Sequence, residues 1–105
     1  MTGVQTCALP ISINVEEDVH EEWVEWMKAV HIPNVMRTGM FIDHRFLRML
    51  VDEEMGGITY AVQYTCESPE VFSRYEQEFA PGLRAEVQER YNGKFVTFRS
   101  LLEFV

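Results

Sequence analysis

The sequence predicts an α+β, ferredoxin-like domain in the order β-α-β-β-α-β, with one antiparallel sheet carrying its helices on one face. Three observations lead there. An amphipathic helical stretch near the start holds both tryptophans, Trp23 and Trp26. A strand follows Gly56-Gly57, in which Ile58, Tyr60, Val62 and Tyr64 alternate with Thr59, Ala61, Gln63 and Thr65. A second helical region runs from Ser68-Pro69 to Asn92-Gly93 and leads into a final strand. A helix before and after a central hairpin is the split β-α-β pattern.

Ser12 to Val15 reads as the tail of strand one. Asp18 is placed to cap the first helix, with Glu21 completing a capping box. Val19, Trp23, Trp26 and Val30 then recur at helical spacing, with Met27 beside them. Pro33 biases Ile32 away from the helical region, so this helix should end or kink near His31. A further turn from Pro33 through Met36 closes at Gly39. Residues 40–52 read as a strand with His44, Phe46, Arg48 and Leu50 on one face. Gly56-Gly57 suits the hairpin turn. Ser68 is a helix cap followed by Pro69 at the first helical position. Val71, Phe72, Tyr75 and Phe79 form its buried stripe. Pro81-Gly82 interrupts, and Leu83, Val87 and Tyr91 carry a second piece. Residues 94–105 form the last strand, with Val96, Phe98, Leu102 and Phe104 sharing a face. That face is rich in large apolar groups, and such a face points to a partner.

Residues 1–11 stand apart. Thr2 to Ile11, TGVQTCALPI, reads as a translated sequencing adapter and is taken as a non-native segment, leaving residues 12–105 as a single domain. On that reading Cys7 is not native and Cys66 is the lone thiol. No internal disulfide is then expected, and the default setting is a reduced, cytoplasmic one.

The chain has 105 residues and a net charge of -8. Six of its seventeen acids fall between Glu16 and Glu25. That balance argues against a nucleic-acid partner, which needs a basic stripe. The acidic run is a solvated helix face or a docking surface for a basic partner. No apolar run reaches the length of a membrane span. Nothing matches a phosphate-binding loop, a dinucleotide glycine pattern or a nucleophile elbow, so no cofactor is expected. His20 and His31 are about 16 Å apart along a helix rising about 1.5 Å per residue, too far to share a metal ion.

Two resemblances add to this. The stretches HEEWVEWMKAVHIPNVMRTGMF, GITYAVQY, YEQEFAP and GKFVTFRSLLE resemble the small bacterial family known as domain of unknown function 4286. More distantly, Trp26 through Gly39 is similar to a pattern in EthD-like dimeric α/β-barrel proteins, which include cofactor-independent oxygenases, isomerases and small-ligand binders. The resemblance implies a homodimer with a cavity beside each sheet, and a small-molecule ligand. It implies no particular reaction.

His31 is the leading catalytic candidate. At the end of a helix it would be held as imidazolium and could act as an acid/base or bind an anion. The alternative is a capping role. His44, Arg48, Tyr64 and Arg99 are polar groups on apolar strands. They form either a ligand-binding cluster in a cavity or hydrogen bonds across a dimer seam. Trp23 and Trp26 read as core, and Cys66 as an inert small apolar residue. Three function classes follow: a non-catalytic dimeric binding module, a cofactor-independent enzyme using His31, and a structural protein docking through its acidic helix.

Overall fold

A computed structural model describes residues 6–51 and 56–105. Four strands form the body of one antiparallel sheet: β1 (Cys7–Val15), β2 (Phe41–Arg48), β3 (Ile58–Cys66) and β4 (Phe95–Arg99). Their spatial order is β2-β3-β1-β4, and a short β5 (Leu102–Glu103) continues beyond β4 along β1. This is the ferredoxin-like arrangement, with α1 (His20–Trp26), α2 (Ile32–Arg37), α3 (Pro69–Glu78) and α4 (Ala80–Tyr91) on one side.

Side-chain alternation fixes which side each residue serves. Leu9 pairs with Tyr64, Ile11 with Val62 and Ile13 with Tyr60, and the helices cover that face. His44 pairs with Tyr64, Phe46 with Val62 and Arg48 with Tyr60, so they share it, as their sequence spacing predicts. Arg99, Thr97 and Phe95 join it from β4 through Ile11, Ile13 and Val15. The other face carries Ser12, Ala61 and Gln63 in its middle and Phe98, Leu102 and Leu47 towards its edges.

Strand one begins earlier than Ser12. Cys7, Leu9 and Ile13 are buried and Pro10 points to the open face. A proline in a central strand needs a place where no donor is required. Pro10 has one: its carbonyl accepts from the Ser100 N–H at 3.3 Å, so its nitrogen faces the gap between β4 and β5. The last strand is correspondingly broken at Ser100-Leu101 instead of running unbroken over residues 94–105. The expectation that Cys66 lacks a disulfide partner is also corrected. Cys7 stands directly opposite Cys66 on the covered face, with Cα atoms 5.1 Å apart, and the two are joined by a disulfide.

The helical stretch at His20 does not stop at His31. A π-type turn over Met27–His31, closed by the Ile32 N–H on the Met27 carbonyl, joins α1 to α2. The cause is Pro33, which lacks an N–H and would crowd the carbonyl four residues back; a wider turn relieves both. The extra residue rotates the buried stripe. Trp23, Met27, Ile32 and Val35 are buried, while Val30, placed in the stripe by regular spacing, is turned out. The helix also starts later than expected. Val19 takes the capping position without a side-chain bond, because Asp18 is drawn away by Lys94 at 3.2 Å. Ser68 does cap α3, accepting from the Val71 N–H at 3.2 Å.

Candidate functional site

The two helical flanks pack differently. α1, the π-type turn and α2 bury Trp23, Met27, Ile32 and Val35, with Trp23 against Phe46 of β2 and Tyr60 of β3. In contrast, α4 buries only its two ends, Ala80 and Tyr91. Tyr91 meets Trp26 edge-on at 5.6 Å, and the Arg90 guanidinium lies 5.5 Å from the same indole ring. Between those ends α4 offers Leu83 and Val87, one apolar residue per turn and both only half-buried. Two medium side chains do not fill the space above β1 and β4, and a cavity of about 190 Å³ remains.

Leu9, Ile11, Ile13 and Val62 floor this cavity, and Trp23, Met27, Val35, Leu83, Val87 and Phe95 wall it. His31, Tyr64 and Tyr75 are its inner polar groups, and Arg84, Thr97 and Arg99 stand where it opens. The lining is mainly apolar with a few placed polar groups, as in small-molecule sites.

The electrostatics of His31 differ from the helix-end expectation. It sits inside a continuing helical run, stacked on Trp26 at 5.5 Å with 22° between the rings. Burial pushes its pKa from 6.5 down to about 4, so the ring is neutral at pH 7 and not imidazolium. Its Nδ1 is buried without a partner among the described residues. The single proton of the neutral ring therefore belongs on Nε2, since a proton on Nδ1 would bury an unpaired N–H. Trp23 is wholly buried and its Nε1 is likewise unpartnered among the described residues.

Burial, reinforced by Tyr75, raises the Tyr64 phenol well above its usual range. Tyr75 is raised by burial and by Glu76, against the lowering pull of Arg84 and Arg99. Burial and the like charge of Arg84 lower Arg99. Arg84 pairs with Glu76 on α3. Arg84, Glu76 and Arg99 thus form one charged patch at the cavity mouth, and the neutral Tyr75 hydroxyl lies within its influence.

Of the five residues singled out from sequence, His31, Tyr64 and Arg99 come together here. His44 does not: it lies 6.5 Å from the Tyr64 ring but opens onto a shallower depression with Lys28, Pro33 and Met36. Arg48 lies 5.9 Å over the Tyr60 ring and lines neither space. All four strand residues face the helices, so they cannot form a seam on the open sheet face. Tyr75 was read only as core, and Arg84 went unnoticed. The signal for both was the thin α4 stripe, whose four-residue spacing leaves the helix short of apolar volume.

Chains of known structure share this fold. An EthD-family protein from Bacillus halodurans superposes with a TM-score of 0.67 at 10% identity, over 90% of this chain and 96% of that one. SnoaB, a cofactor-independent oxygenase from Streptomyces nogalater, gives 0.65 at 14% identity, over 96% and 94%. A protein of unknown function from Nitrosomonas europaea gives 0.73 at 8% identity, over 99% and 93%. At such identities the likeness is one of fold alone. No curated protein matches the chain. The sequence itself is more specific: residues 7–105 match the model of one family, and the chain belongs to it, the family described as domain of unknown function DUF4286.

Proposed function

We propose that the protein is a homodimeric module that binds a small molecule in the cavity beside His31 without transforming it. The observation that carries this reading is the cavity: about 190 Å³, apolar within, polar where it opens. His31 supports binding over catalysis. A general base works best with a pKa near the operating pH. At about 4, this imidazole is neutral but a poor proton acceptor. It is better suited to donating one hydrogen bond from Nε2.

The homodimer rests on the open sheet face. Phe98 is 77% exposed, and Val96, Leu102 and Phe104 are exposed beside it. Contiguous apolar surface of this kind favours a partner, and the small residues Ser12 and Ala61 mid-sheet leave room for one. Phe98→Asp is expected to yield a monomer by light scattering.

Native mass spectrometry of the protein from cell extract tests both parts. A dimer carrying excess mass is expected. A bare monomer would overturn the reading.

A second reading is an enzyme with His31 as acid/base, supported by the cofactor-independent oxygenase among the fold neighbours. His31→Gln separates the two. A binder keeps ligand affinity within a few-fold and has no turnover to lose, whereas an enzyme keeps affinity and loses turnover.

Residues 1–11 remain, on our reading, adapter-derived. Sequencing the gene from genomic DNA is expected to return a different first strand. The Cys7–Cys66 bridge would then be particular to this chain. The cavity's polar groups all lie beyond residue 11 and do not depend on it.

A further inference from the structure

We propose that the ligand is a small monoanionic organic acid, its apolar body of one ring or a short branched chain held in the cavity and its carboxylate between Arg84 and Arg99. This rests on the cavity being a ligand site, and adds the class of molecule.

Size comes first. An apolar cavity of about 150 Å³ accommodates benzene. At about 190 Å³ this one holds a single ring with one or two further carbons, and a fused polycyclic body exceeds it. The interior surfaces are mainly Ile13, Val62, Leu83 and Val87, with His31 and Tyr64 as the few polar groups among them. Charge comes second. The chain carries a net charge of -8, yet two of its nine basic residues stand together at the cavity opening. Arg84 is offset by Glu76. Arg99 makes no hydrogen bond or ion pair among the described residues; burial and the like charge of Arg84 work against it, and Glu76 offsets them only in part. A second cation so placed is unfavourable in the empty protein, and a carboxylate would relieve it. Guanidinium groups also match a carboxylate by paired N–H donors. Tyr75 reaches the same patch, its hydroxyl under the influence of both arginines, and supplies a further donor.

The test is calorimetric titration of the full chain at pH 7 with three probes: phenylacetate, its neutral counterpart phenylacetamide, and 2-naphthylacetate. Phenylacetate is expected to bind about tenfold more tightly than the amide, the ordinary gain from one charge-assisted contact. Raising salt should narrow that ratio. Arg99→Gln and, separately, Arg84→Gln should each weaken phenylacetate by about tenfold and bring it close to the amide. 2-Naphthylacetate should bind more weakly than phenylacetate. Equal affinity for acid and amide would overturn the charge assignment while leaving the cavity as a ligand site. Tighter binding of the naphthyl acid would overturn the size assignment. No binding of any probe, with no methyl resonance of Leu83 or Val87 shifted, would remove both this inference and the reading beneath it.

Discussion

The flank built by α1 and α2 and the flank built by α4 face the same sheet and the same cavity, yet one buries its apolar stripe and the other leaves its stripe half-exposed. On the first, four large or branched residues, Trp23, Met27, Ile32 and Val35, are buried, with Trp23 against Phe46 and Tyr60 of β2 and β3. On the second, Ala80 and Tyr91 anchor the two ends of α4, and Leu83 and Val87 span the interval half-buried. The difference lies in side-chain volume along each stripe and in the π-type turn, which supplies an extra residue on the packed side. It teaches that a small domain can keep a cavity by fixing a helix at its ends and under-filling its middle. Interiors otherwise close to near-crystalline density.

The largest expected contrast is between two truncations. Trp23→Ala, at a wholly buried indole, should destabilise the fold by about 3–5 kcal/mol, whereas Leu83→Ala, at a half-exposed side chain, should cost under about 1 kcal/mol. Urea unfolding of both variants checks this, and equal losses would erase the distinction between the flanks.

Next comes acid. His31 is held at about 4 in the fold against 6.5 when free. Between those values the unfolded chain takes up a proton that the folded chain refuses. The stability conferred by the neutral ring is therefore fully present above about pH 6.5 and is lost as pH falls to about 4. The loss is about 3 kcal/mol, and no more follows from this residue below that. Stability measured from pH 7.5 to 4 should slope accordingly, and a His31→Phe variant should lack that component.

Overpacking sharpens the contrast at intermediate size. Val15→Phe should cost about 1–3 kcal/mol, since Val15 is fully buried and borders no cavity. Val87→Phe should be neutral or stabilising by up to about 1 kcal/mol, because it grows into the cavity. Thermal melts of the pair decide it. The smallest effect belongs to α3, outside both flanks: Ser68→Ala removes the cap on the Val71 N–H and should cost about 1 kcal/mol by urea unfolding.

Much of the fold was legible because it is written in local patterns. Ile58 to Thr65 alternates, Ser68-Pro69 starts a helix by its chemistry, and Asn92-Gly93 ends one. The first helix was harder. Regular spacing puts Val30 in the core, and only the consequence of Pro33, one extra residue in the turn, exchanges it for Ile32. Asp18 looked like a cap because its distant competitor Lys94 is invisible in a local window. The site was half legible. His31, Tyr64 and Arg99 stood out as polar groups in apolar surroundings, and alternation put His44, Arg48 and Tyr64 on one face. Which of them meets the cavity depends on where α4 fails to pack. Arg84 enters the site through that long-range shortfall and not through any motif.

The most direct test is of the cavity itself. Xenon enters dry apolar cavities of this size, so methyl spectra of the protein can be followed under xenon pressure. The shifts should be largest at Ile13, Val62, Leu83 and Val87, with Val15, fully buried and bordering no cavity, little moved. If no methyl group responds, or the response is confined to Ile32 and Met36 at the shallower depression, α4 covers no cavity and the account fails.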